Sequence, residues 1–318
     1  MKRLRLYRIE IILVLVLAMA VAFFGYLGYG LLPADATVET FSGERALARA
    51  QDQVAFGARV AGVPANIAAG DALVDELVQL GWNVLIAPFG LPNGTTARNI
   101  IAVRTNKVAN APVGILGAHY DSRLLADADP NSANQTLSTP GAVDNAAGVA
   151  VLIELARTLD VTATGHTICL VLFDADDNAN ITGWEPLLGT THFLQDLNTR
   201  VPQCGAPRFA VIVDTIGYAG QSLTPDSDSH PGLSNAIWQT AAQLDYPNQW
   251  VGQAIAPTPG AHTLFTQAGI PATILSSPTY PHDHTMQDTV DKLNVDSLSA
   301  IGNTLENWLE AGAAFGSQ

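Results

Sequence analysis

The chain has 318 residues, 48% of them apolar, enough for one sizeable α/β core. Only 14% are charged, and the formal net charge of −14 argues against a nucleic-acid partner, which would require a basic face. Part of the acidic excess is then read as ligands for cations rather than as solvated surface.

The chain opens on a basic segment, residues 1–10, with Lys2, Arg3, Arg5 and Arg8. An apolar run over 11–32 follows, broken only by Gly25, Gly28 and Gly30. About 20 such residues can span a bilayer, and the basic flank would stay in the cytoplasm. The run is read as a transmembrane anchor. The alternative is a signal peptide cleaved near Ala34-Asp-Ala36. Either reading exports the rest: a linker over 33–41 and one domain over 42–318. Export permits a disulfide between the two cysteines, Cys169 and Cys204. Cys169 lies in an apolar strand, where a buried thiol is equally ordinary, so the bridge stays open.

Ser42 is placed to cap a helix through about Phe56, with Glu44 in its first turn. Ala68 to Leu80 has helical periodicity and stops at Gly81. Trp82 to Ala87 and Asn99 to Val103 read as strands around a Gly/Pro turn at 90–94. Val113 to Ala118 is a buried strand running into His119-Tyr-Asp121. A polar loop spans Leu124 to Thr139. Gly141-Ala-Val-Asp-Asn-Ala-Ala-Gly148 is a Gly-flanked turn that presents Asp144 before a helix reaching about Leu159. Strands follow at 167–174, 209–214 and 272–275, with helices at 190–197, 234–244 and 298–309. This alternation predicts an α/β domain with a largely parallel sheet. Ligands gather at the carboxyl ends of such strands. His119, Asp174 to Asp177 and Asp214 all stand there.

A His with an Asp two residues on suits a metal ligand and its orienting carboxylate. Adjacent carboxylates such as Asp176 and Asp177 repel unless a cation or a proton sits between them. His284, in Pro281-His-Asp-His-Thr285, completes the set, with His282 as its rival. His119, Asp144, Asp177, Asp214 and His284 suit two zinc ions sharing one carboxylate. Asp176 does not ligate in this scheme and is the candidate to move the proton. His166, His192, His230 and His262 are assigned structural or surface roles.

The motifs Gly117-Ala-His-Tyr-Asp-Ser122, the Asp144 turn, Phe173-Asp-Ala-Asp-Asp177, Val213-Asp-Thr-Ile-Gly217, Ala268-Gly-Ile-Pro-Ala272 and His284-Thr-Met-Gln-Asp-Thr289 occur in this order. Over roughly residues 40 to 312 the chain resembles the co-catalytic zinc exopeptidases of peptidase family M28. That family includes aminopeptidase Y, bacterial leucyl aminopeptidases and related glutaminyl cyclases. The resemblance implies a three-layer sandwich around a mixed, mainly parallel sheet, and two zinc ions acting on peptide substrates. It assigns His119 and Asp214 to one zinc, Asp177 and His284 to the other, and Asp144 to the bridge. Asp121 would orient His119, and Asp176 would be the general base.

Two departures stand out. The family base is normally Glu, and many members carry Asp-His where this chain has Ala261-His262. The expected activity is that of an aminopeptidase. The alternatives are a glutaminyl-peptide cyclotransferase and a peptide-binding domain that keeps the metal but has lost catalysis. The polar loop 124–139 and the Trp184 segment are expected to shape the specificity pocket.

Overall fold

A computed structural model describes residues 3–31, 39–246, 249–250, 255–256 and 259–316. The chain divides into two units, Met1–Glu39 and Thr40–Gln318.

In the first unit, α1 (Arg3–Leu31) is one continuous helix whose side chains Ile11, Leu13, Val16 and Phe24 are exposed. The anchor expected over 11–32 is corrected to this extent: among the described residues, no helix is long and apolar enough to cross a membrane. The side chains of residues 25–31 and all of residue 32 lie outside the described part, as does most of the linker.

The second unit is built on a six-stranded sheet in the order β1-β2-β4-β3-β5-β6. The strands are β1 (Asn83–Gly90), β2 (Thr96–Arg104), β3 (Val113–His119), β4 (Thr167–Phe173), β5 (Pro207–Val213) and β6 (Ala272–Leu275). β1 and β2 form an antiparallel hairpin, and β2 runs antiparallel to β4. The other four strands are parallel. β4 is buried along its whole length, as a strand covered on both faces must be.

Alternate residues serve opposite faces. Leu116, Ala118, Leu170, Leu172, Val211 and Val213 pack with α2 (Gly43–Val54), α3 (Pro64–Gln79), α4 (Ala147–Thr158), α7 (Pro231–Gln243) and α9 (Val295–Glu310). Ile115, Cys169, Val171, Phe173, Ala210 and Ile212 pack on the other side with α6 (Leu188–Asp196) and α8 (Ala261–Gln267). This is the three-layer, mixed but mainly parallel architecture expected. A short helix, α5 (Val161–Thr164), precedes β4.

Local signals explain several boundaries. Ser42 caps α2 by accepting the Arg45 N–H at 3.3 Å. α3 begins earlier than its periodicity suggested, because Pro64 fixes the first turn. Cys169 and Cys204 form a disulfide, with 6.0 Å between their Cα atoms.

From β3 the chain crosses by α4 to β4 on one side, then by α6 to β5 on the other. The sheet therefore reverses its winding at β3, and its crevice opens beyond the carboxyl ends of β4, β3 and β5.

Candidate metal centre

His119 ends β3 in that crevice. Its Nε2 lies 3.0 Å from Asp144 Oδ1 and 3.2 Å from Asp214 Oδ1. Its Nδ1 faces Asp121, 3.2 Å from the carbonyl and 3.4 Å from Oδ1. His284 Nε2 lies 3.4 Å from Asp177 Oδ1 and 3.7 Å from Asp144 Oδ2. Two groups of three potential ligands result, His119–Asp144–Asp214 and Asp144–Asp177–His284, and Asp144 belongs to both. All five residues picked from the sequence converge. The rival His282 packs edge-on against Tyr280 instead.

Backbone shape aims these side chains. Ala175, Thr215 and His284 have φ of 61°, 48° and 54°, a left-handed region that residues with a Cβ seldom enter. Each turns the chain sharply beside Asp176 and Asp177, Asp214, or at His284 itself.

The Asp144 turn is held from below. Arg59, fully buried, donates to the carbonyls of Tyr120, Pro140 and Gly141. Gly141 has φ 68°, and a Cβ there would lie 2.7 Å from Ser122 Cβ and 2.8 Å from the Asp144 carbonyl oxygen. Asp288 accepts the N–H groups of Val143 and Asp144 at 2.8 and 3.1 Å, and Tyr280 donates to it at 2.9 Å. Arg59 carries no sequence signal for this support, and Asp288 has only its spacing, four residues after His284 in His284-Thr-Met-Gln-Asp-Thr289.

Asp176 is 5% exposed and lies in the cleft wall. Both its oxygens accept from Thr190, one from the backbone N–H at 3.0 Å and one from the hydroxyl. The close approach needs Gly189, where a Cβ would sit 2.3 Å from the Asp174 carbonyl oxygen. Asp174 itself turns away from the cleft and ties β2 to β4, accepting from Asn66, the Arg98 N–H and Tyr120.

The electrostatics are those of a crowded anionic site. Burial, then Asp177, pushes Asp144 well above the usual carboxylate range. Burial, then Asp121, raises Asp176 to about 7. Burial would lower His119, but Asp214, Asp121 and Asp144 outweigh it and hold the imidazole well above its ordinary value. Burial opposes His284 too, yet Asp177 and Asp144 raise it to about 9. Asp283 adds a further carboxylate, 3.8 Å from His284 Nε2. Protons are held here because positive charge is needed, and metal cations would displace them. Asp177 Oδ2 is buried without a hydrogen-bond partner, which suits an atom that ligates. The donor set of imidazole nitrogens and carboxylate oxygens fits zinc.

The cleft holds about 460 Å³. Phe173, Ile212, Ile274 and Leu187 supply apolar wall beside the ligands. Pro186 and Leu187 line it as expected of their segment, whereas Trp184 packs with Phe89, Leu91 and Leu188. The loop 124–139 does not line the cleft, which corrects its expected role. Among the other histidines, His230 caps α7, His192 stacks on Phe89, and His166 bonds the Thr164 carbonyl. His262 is fully buried, and Asp226 lies 3.3 Å from its Nε2, a partner remote in sequence.

Residues 99–309 match peptidase family M28, and the chain belongs to that family. It is 25% identical over 226 residues to the Bacillus subtilis aminopeptidase YwaD, matching 65% of this chain and 43% of that protein. It is 26% identical over 223 residues to the Escherichia coli protein YfbL, matching 61% of this chain and 65% of that one. The chain thus spans less than two thirds of the length of these curated relatives. Two solved structures resemble it closely. A Zn-dependent exopeptidase from Parabacteroides distasonis superposes with a TM-score of 0.78 at 26% identity, over 86% of this chain and 99% of its own. A glutaminyl cyclase from Tannerella forsythia gives 0.77 at 27%, with the same coverage. Zinc is the metal named for the Parabacteroides exopeptidase, and it is the ion this donor set fits.

Proposed function

We propose that the chain is a zinc-dependent exopeptidase, an aminopeptidase that hydrolyses the N-terminal peptide bond. The observation that carries this reading is the pair of three-ligand groups sharing Asp144. His119 and Asp214 would hold one zinc ion, Asp177 and His284 the other, with Asp144 between them. Bound zinc supplies Lewis acidity toward a carbonyl and lowers the pKa of water into the neutral range.

The chain's own groups do the remaining work. Asp121 fixes the ring of His119. Asp176, held by Thr190, takes a proton from water and returns it to the departing amine. Phe173, Ile212, Ile274 and Leu187 receive an apolar side chain and exclude water. Zinc content per chain, measured with turnover of a panel of aminoacyl substrates, tests the reading. Fewer than one zinc per chain, or no turnover of any, overturns it.

A glutaminyl-peptide cyclotransferase is the second reading, favoured by the near full-length likeness to the Tannerella cyclase. Incubation with a Gln-initiated peptide separates the two. Ammonia with an unshortened peptide means cyclase; a shortened peptide means aminopeptidase.

We also propose that the domain over residues 42–318 is exported. The Cys169–Cys204 bridge supports an oxidising compartment. Recovery of the protein in the cytoplasmic fraction with both thiols free would overturn this.

A further inference from the structure

The segment after Ser122 avoids the cleft and instead grips the two stretches of chain that carry Asp177 and His284. Arg123, 2% exposed, donates to Asp177 Oδ1 at 3.2 Å, to the Asp177 carbonyl at 3.4 Å and to the Ala179 carbonyl at 2.7 Å. Its Nε and Nη2 take the two oxygens of Asp127, each at 2.7 Å. Asp127 Oδ1 lies 4.0 Å from His284 Nδ1. The Ala128 N–H donates to the His284 carbonyl at 3.3 Å, and Asp129 Oδ2 accepts the Met286 N–H at 2.9 Å.

The consequence shows at Asp177. One of its oxygens is engaged by Arg123, and the other is buried and unpartnered. The two-point pairing with Asp127 fixes the guanidinium plane, and Nη1 then holds Asp177 through Oδ1 and the carbonyl. His119 and Asp214, by contrast, are set by Asp121, Asp144 and Thr215.

We propose that residues 123–129 form a strap that positions Asp177 and His284 for one metal ion. Arg123 is its central positioning residue, so the strap sets the affinity of the second ligand group and not of the first. This rests on the metal-site reading above.

Zinc titration of the metal-free protein by calorimetry tests it. In a His119→Ala background only the Asp144–Asp177–His284 group remains, and adding Arg123→Met should weaken zinc binding there by about 10–100-fold, the usual cost of losing a ligand's outer support. In a His284→Ala background, which leaves the first group, Arg123→Met should change nothing. Arg123→Lys should recover part of the loss. Unchanged affinity in the first background, or equal weakening in both, overturns the strap. If Arg123→Met does not fold, Asp127→Asn breaks the same fork from its more exposed side and should shift affinity in the same direction. Wild-type uptake of a single ion that Arg123→Met still weakens would keep the strap and remove the two-ion reading. No zinc uptake at all would remove both.

Discussion

Asp121 sits directly behind His119, its Oδ1 3.4 Å from the ring Nδ1, and the same carboxylate accepts the N–H groups of Asp176 and Asp177, each at 3.2 Å. One fully buried carboxylate thus fixes the ring of His119 and the chain that carries the proposed base, Asp176, and the proposed ligand Asp177. Replacing it by Asn puts an amide donor against N–H groups that need an acceptor. Asp121→Asn is expected to lower zinc affinity by about 10–100-fold. A metal titration of the apo variant checks this, and wild-type affinity would refute the orienting role.

The raised pKa of Asp176 makes a pH prediction. In the proposed role of base it must be ionised, and burial with Asp121 nearby holds its pKa at about 7. Activity should therefore fall as pH drops through about 7. The two bonds from Thr190 favour the charged form. Removing the hydroxyl in Thr190→Val should raise the pKa and move the acid limb of kcat/KM to higher pH. Asp176→Asn should cost roughly 100- to 10,000-fold in kcat and abolish the limb. An acid limb unchanged in Thr190→Val would show that another group titrates.

These residues also show what a sequence can disclose. The five candidate ligands are legible because each follows an apolar strand or sits in a punctuated loop, and parallel sheets bring such ends together. Arg59 was not legible. Its carbonyl partners at 120, 140 and 141 are local in space and distant in sequence, and nothing in its neighbours announces a buried guanidinium. Asp226, the partner of His262, was missed for the same reason. The place of the loop 124–139 is not legible, because polar composition reports solvent contact and not which side of a site a loop braces. The two strands around the turn at 90–94 are legible and their antiparallel pairing comes from the fold, while α8 is too short for periodicity to register.

Removal of the disulfide should destabilise the domain. It joins the middle of β4 to the turn before β5 across a sequence separation of 35. Loop closure of that size is worth about 3–4 kcal/mol in the chain-entropy treatment. Cys169→Ala with Cys204→Ala should lower the urea midpoint, and wild type in reductant should show the same direction of change. An unchanged midpoint under both conditions would mean that the bridge does not form in solution.

Arg59 is expected to matter beyond its distance from substrate. It is fully buried and serves four carbonyls, those of Gly57, Tyr120, Pro140 and Gly141, the last two at the entrance to the Asp144 turn. Burial lowers its pKa to about 10, with Asp288 the largest opposing influence, so it stays charged at neutral pH. Arg59→Met would take this donor from the Tyr120 and Pro140 carbonyls, at about 1–3 kcal/mol for each buried group left unsatisfied, while the Gly141 carbonyl keeps the Ala146 N–H at 3.1 Å. The variant should unfold at lower urea and bind zinc more weakly. Native stability with intact zinc binding would show that water replaces the guanidinium.

The substitution with the sharpest bearing on function is Asp176→Glu. Asp176 is shorter than the family's usual base, and both its oxygens are already engaged by Thr190, on the cleft wall. Thr190 can therefore position the carboxylate as it stands, and Gly189 exists to let it come close. If Asp176 with Thr190 is a working base, lengthening the side chain pushes the carboxylate off its two donors and further into the cleft. A misplacement of about 1 Å can cost on the order of 100-fold, so Asp176→Glu should lower kcat. If the short side chain instead marks a domain that binds peptides and no longer cleaves them, the wild type should be nearly inert and Asp176→Glu should gain activity by a comparable factor. The two accounts predict opposite signs for one kcat ratio, measured at equal zinc occupancy.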